Sequence, residues 1–202
     1  MIRRSLLLLP IALAGCSASS LLAPSGEPAK LYTLSAPDEV AISAAQANWQ
    51  LLIAMPDAAL DINISRIAIA PTPDRIDYYA NVAWADRPPA MLQEILLQSF
   101  DKSGRIAAVG RQSGGLKADF ILSTDLQDFE VETGHGDPCV HLRITARLVR
   151  TRDRAIVATR SFDAAPPASG SFDGAIAGFD SAVAQLLPEI VGWTLTEGNR
   201  NL

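Results

Sequence analysis

Cysteine and histidine are scarce: two of each in 202 residues, at Cys16, Cys139, His135 and His141. A zinc site needs three or four ligands, and only His135, Cys139 and His141 lie near one another. Cys139 and His141 are two apart on one strand, so both point away from the face carrying Val140 and Leu142. No acidic or cysteine cluster at ligand spacing completes the set, so the expectation is a polar strand face with no metal. Bases are also in short supply, 17 against 22 acids, for a net charge of −5. That balance gives no electrostatic case for nucleic acid. Long apolar runs are missing too: nothing after Cys16 approaches the roughly 20 residues a membrane-spanning helix needs.

Catalytic constellations are equally thin. Gly110-Arg111-Gln112-Ser113-Gly114 puts its serine one place late for a nucleophile elbow, ahead of a strand rather than a helix. Gly110 through Lys117 has nearly the spacing of a phosphate loop, but Leu116 separates glycine from lysine and no helix follows. Asp125, Asp128, Glu130 and Glu132 crowd one stretch, yet no buried neighbours in sequence would raise a carboxyl pKa, and a solvated strand end is expected. No enzyme and no cofactor follow from these residues.

What the sequence does have begins at its N-terminus. Arg3 and Arg4 precede an apolar run from Leu6 to Leu13 that is too short to span a bilayer, and Leu13-Ala14-Gly15-Cys16 follows directly. The four residues resemble the bacterial lipobox, in which small residues precede a cysteine that is acylated and becomes the new N-terminus. Residues 1–15 then read as a lipoprotein signal peptide and Cys16 as the lipidation site. One acyl chain holds a protein only marginally, but each buried methylene adds about 0.8 kcal/mol, so two or three chains anchor firmly. Removing the signal leaves 187 residues with 15 bases against 22 acids. With Cys16 modified, Cys139 is the only thiol, so no internal disulfide forms and the residue behaves as a small apolar side chain.

Residues 16–30 are rich in Ser, Ala, Pro and Gly, the composition of a tether. Residues 31–197 suit a single domain, with 198–202 as a C-terminal tail. Short strands are expected at Leu31–Leu34, Gln50–Ala54 and Ile67–Ala70. Ile76, Tyr78, Ala80, Val82 and Trp84 alternate with Asp77, Tyr79, Asn81 and Ala83, predicting one strand with a buried face. Asp86 as N-cap, Pro88 and Pro89 in the first turn and Gly104 at the end delimit a helix, with Leu92, Ile95, Leu96, Ser99 and Phe100 at core spacing. Phe120, Leu122, Thr124 and Leu126 mark the inner face of a long strand. Val140, Leu142, Ile144, Ala146 and Leu148 mark that of the next, which turns at Arg152-Asp153 into Ile156, Ala158, Arg160 and Phe162. A final helix runs from about Phe172 to Thr194, with a kink expected at Pro188. The pattern predicts an α+β fold: a mostly antiparallel sheet with two main helices packed on one face.

One feature suggests binding. Arg143, Arg147, Arg150, Arg152, Arg154 and Arg160 crowd the hairpin of an otherwise acidic chain. Guanidinium groups suit phosphates and carboxylates, so Arg143 and Arg147, on the face opposite the apolar one, are candidates for contact with a partner or with lipid head groups. A solvated sheet face is the alternative. Tyr79 joins them as the aromatic expected to point away from the buried face.

Leu31-Tyr32-Thr33-Leu34 behind a lipoprotein tether, and the block from Asp74 through Tyr78-Tyr79 and Trp84 to Pro88-Pro89, resemble the ABC-type transport auxiliary lipoprotein components, the PqiC-like family. Ala118-Asp119-Phe120-Ile121-Leu122 with Phe129, and Phe162 with a closing helix ending at Trp193, resemble it as well. The resemblance implies a non-enzymatic, periplasm-facing lipoprotein that assists an MCE-type ABC transporter moving phospholipid or another apolar lipid between inner and outer membranes. Its implied partners are an MCE-domain protein, the permease and ATPase, the membrane, phospholipid and further copies of itself as a homo-oligomer. Ser17, rather than aspartate, after Cys16 favours the outer membrane. A general envelope-assembly lipoprotein that binds outer-membrane proteins or peptidoglycan is the rival reading.

Overall fold

A computed structural model describes residues 28–37, 42–134 and 136–202. The signal peptide, Cys16, most of the expected tether and His135 lie outside the described residues. The elements run β1 (Lys30–Tyr32), β2 (Ala47–Ile53), β3 (Asp57–Ala58), β4 (Ala68–Thr72), β5 (Arg75–Tyr78), β6 (Val82–Trp84), α1 (Pro88–Ser103), β7 (Ile106–Arg111), β8 (Phe120–Glu132), β9 (Cys139–Arg150), β10 (Ala155–Ala164) and α2 (Phe172–Arg200).

The spine of the fold is β8, 13 residues long. One of its edges pairs along its length with β9, antiparallel, and β9 pairs with β10 in the same sense. Its other edge carries β2, β3 and β4 in succession, all parallel, with β7 outside β2 and β5 outside β4. A separate two-stranded ribbon pairs β1 with β6. Both helices lie on one face of the sheet, so the α+β arrangement is as expected from the sequence. Alternation explains the burial: Phe120, Leu122, Thr124 and Leu126 of β8 and Val140, Leu142, Ile144, Ala146 and Leu148 of β9 are all buried. They face a stripe on α2 that includes Phe179, Val183, Leu186, Leu187 and Ile190.

At Gln127 the register between β8 and β9 slips by one residue. The bulge lets Phe129 and Val131, out of phase with Leu126, also face inward. It has a second effect. Asp128, Glu130 and Glu132 continue the even-numbered phase of the inner face, and without the inserted residue they would point into the core. The bulge turns all three outward.

Helix α1 starts at Pro88, as Pro at the first helical position allows, and ends at Gly104, whose φ of +60° is the left-handed cap that glycine adopts freely. Its N-cap is Arg87 rather than Asp86. The Asp86 carboxylate accepts instead from the Arg87 backbone N–H at 2.7 Å, and no side chain caps the start of the helix. In α2, the Ser171 hydroxyl accepts from the Gly174 N–H at 3.1 Å. The helix continues through Pro188 to Arg200, past the expected end at Thr194, so the last turn takes in residues expected to be a tail. Trp49 closes that end: its indole N–H donates to Asn199 Oδ1 at 2.8 Å, and its ring lies against Gly198.

The block from Ile76 to Trp84 is not one strand. Asn81 takes φ +58°, which breaks the extended backbone and separates β5 from β6. The alternation therefore does not carry across it: Trp84 is buried, against Phe129 and Phe179, whereas Ile76 is exposed. Ile156 also departs from expectation. A bulge between Ile156 and Ala158 turns it to the outer face, where it is 59% exposed. Among the described residues no helix is long and apolar enough to cross a membrane.

Candidate functional site

On the face of the sheet away from the helices, β8 and β9 meet the β4–β5 hairpin and the loop at Asp61-Ile62 and form a cleft of about 360 Å³. The polar wall is Asp128, Glu130, Glu132, His141 and Arg143; the opposite wall includes Ile62 and Ile76. Gly134 is required at its rim, because a Cβ there would lie 2.1 Å from the Pro71 carbonyl oxygen.

Antiparallel register builds the polar wall. Glu130 pairs with His141, Glu132 with Cys139 and Asp128 with Arg143, while Asp163 of β10 faces Arg143 from the other side. The His141 ring lies between carboxylates: Nδ1 is 2.7 Å from Glu132 Oε1, and Nε2 is 3.1 Å from Asp163 Oδ2 and 3.9 Å from Asp128 Oδ2. Only a doubly protonated imidazole donates from both nitrogens. Burial pulls the His141 pKa down, but hydrogen bonds to Asp163 and Glu132, with the charges of Asp128 and Glu132, outweigh it and leave the pKa raised. Arg143 forms an ion pair with Asp128. Burial pushes the Glu130 carboxyl pKa up, against a hydrogen bond from the Phe129 N–H.

This overturns the expectation of carboxylates at a solvated strand end with nothing to raise a pKa. It also corrects the expectation that no acidic cluster gathers near His141. The gathering of these acids around His141 was not legible because the bulge at Gln127 sets their direction, and the one legible signal was the hairpin register bringing Asp163 alongside. Ligand atoms of Asp128, Glu130 and His141 lie within 4.8 Å of one another, close enough in space to share a cation. Both imidazole nitrogens, however, already face carboxylates, and Asp128 holds a guanidinium.

The remaining candidates are scattered. Cys139 is half-buried, its thiol pKa raised by burial and then by Glu132. Ser113 sits exposed on a short 3-10 turn at the far end of the sheet from His141. Tyr79 is half-buried rather than free: β5 ends before it, and its ring meets Phe172 edge-on at 4.9 Å. Arg147 shares the outer face with Arg143, in register with Ser123 and Thr159, and has no ion-pair partner among the described residues. Arg150 is tied to Asp153 and Arg160 to Glu189, so the arginines do not form one cluster.

The crystal structure of a protein from Xanthomonas campestris superposes with a TM-score of 0.79 at 33% identity, covering 85% of this chain and 98% of that one. A hypothetical protein of Chlamydia trachomatis shares the fold alone, at TM-score 0.55 and 12% identity over 77% of this chain and 100% of its own. A protein of Bradyrhizobium diazoefficiens is 30% identical over 178 residues, 84% of this chain and 46% of the relative. The chain thus spans about half the length of that curated relative. A model of the ABC-type transport auxiliary lipoprotein components matches residues 32–191, nearly the whole folded region, and the chain belongs to that family.

Proposed function

We infer that this chain is a non-enzymatic lipoprotein, anchored through acylated Cys16 to the periplasmic side of the outer membrane. There it serves as the auxiliary partner of an MCE-type ABC transporter that moves phospholipid between the two membranes. The observation that carries the reading is the family match over residues 32–191 behind a lipobox that ends at Cys16. Ser17 in place of an aspartate supports the outer membrane. The site chemistry supports an inert module: a base works by having a free nitrogen at the right pKa, and His141 has both nitrogens committed. Arg147 is a cation on the outer face left for a partner or a head group, while Arg143 is largely occupied by Asp128.

Genetic interaction tests the assignment. Removing this chain, the permease or both gives the same envelope defect, measured as sensitivity to detergent, with the double deletion no worse than either single one. Additive defects would contradict a shared pathway. An equal defect accompanied by loss of assembled outer-membrane proteins would instead favour the envelope-assembly reading.

A further inference from the structure

The outer face of the sheet changes character along its length. Near the cleft it is acidic. At the opposite end, register pairs Leu52 of β2 with Ile121 of β8, Ile121 with Val149 of β9, and Val149 with Ile156 of β10. Register partners project to the same side, so four apolar side chains form a row across four strands. Leu116 lies over its β2 end, near Leu52 and Gly110. Leu116 is 63% and Ile156 59% exposed, one at each end of the row; Ile121 and Val149 between them are half-buried, and Leu52 is buried beneath Leu116.

Cations border the row. Arg147 stands one row inward on β9, and Lys117 and Arg152 flank Leu116 and Ile121. None of the three has an ion-pair partner among the described residues. Of the nearby carboxylates, Asp153 is held by Arg150, which pulls its pKa down to about 2, while Asp119, which accepts from the Gln50 N–H at 2.8 Å, keeps its charge near Arg152. In a chain of net charge −5, Arg147, Lys117 and Arg152 outnumber Asp119, so this end carries an excess of positive charge around an apolar centre. That is the composition of a protein interface with a matching acidic rim.

Placement disfavours the anchoring membrane as the occupant. The first described strand, β1, lies at the N-terminal end of α2, where Tyr32 packs on Phe172. The row lies toward the C-terminal end of α2, where Arg150 donates to the Asn201 carbonyl. The 29 residues of α2 separate these ends by about 43 Å at 1.5 Å per residue. The stretch from Cys16 to Lys30 reaches at most about 50 Å when fully extended, so the row would meet the anchoring bilayer only on a taut tether.

We propose that Leu116, Ile121, Val149 and Ile156, bordered by Arg147, Lys117 and Arg152, form the docking surface for an acidic, apolar-centred patch on the transporter's MCE-domain subunit. The inference rests on the function proposed above. The experiment measures binding of the full acylated chain in detergent to the purified MCE-domain subunit, for the wild type, Leu116→Asp with Ile156→Asp, Lys117→Glu with Arg152→Glu, and Leu31→Asp as a control at the tether end. All these side chains are exposed, so melting temperatures should stay within a few degrees. Both double variants are expected to bind at least tenfold more weakly, and Leu31→Asp like wild type. Wild-type binding that both double variants retain within twofold overturns this surface and leaves the transport reading standing. No wild-type binding removes both. Two other results also overturn the proposal: wild-type binding to vesicles of equal phosphatidylglycerol and phosphatidylcholine that the variants lose, and self-association that Ile156→Asp abolishes.

Discussion

The imidazole of His141 needs its second proton to satisfy Glu132 and Asp163 together, and this makes part of the stability depend on pH. Its pKa is raised above the ordinary 6.5 in the folded chain. The contribution is therefore fully present below pH 6.5 and is lost as pH rises through the folded pKa. The partners are about half exposed, so solvent screening limits the effect to about 1 kcal/mol or less. Denaturant unfolding across this pH range should show the wild type losing that increment from pH 6.5 upward relative to His141→Gln, in which both ring nitrogens are gone. A difference that stays level, or grows with pH, would show that His141 is not held as the imidazolium. The spacing of Cys139 and His141 was legible as a shared strand face. Their surroundings were not, because Asp128, Glu130 and Glu132 owe their direction to one inserted residue, Gln127. A bulge leaves no mark in composition and shifts the phase of everything after it.

Elements with uninterrupted periodicity were legible, and elements shaped by a single backbone conformation were not. The alternation of β8 and β9 and the stripe of α2 identified the sheet's inner face residue by residue. By contrast, the Ile76–Trp84 block keeps its alternation in sequence while Asn81 at φ +58° cuts it in two. The end of α2 was missed for a different reason. Its last buried position is a glycine, which carries no hydrophobic signal but is needed for close approach. A Cβ on Gly198 would lie 2.2 Å from Cζ2 of Trp49, whose indole is held by Asn199. Gly198→Val should therefore cost about 1–3 kcal/mol, as overpacking of a filled site does. A thermal melt, with tryptophan fluorescence reporting on Trp49, measures it. An unchanged melting temperature would mean that the helix end does not close on the core.

At the scale of the whole molecule, the sheet separates two tasks. One face, covered by α1 and α2, supplies a continuous core. The other is left open and is graded along the strands, from a carboxylate cleft clasped by His141 and Arg143 to an apolar row edged with cations. The family resemblance was legible because it rests on short runs of residues. The grading was not, since it depends on register among five strands far apart in sequence. The central claim is that this chain works by attachment to a transporter. Affinity purification of the full chain from native membranes, under mild crosslinking and with quantitative mass spectrometry, tests it most directly. Enrichment of an MCE-domain protein with its permease and ATPase is the predicted result. Recovery of barrel-assembly subunits or peptidoglycan instead, with no transporter subunit in repeated preparations, would contradict it.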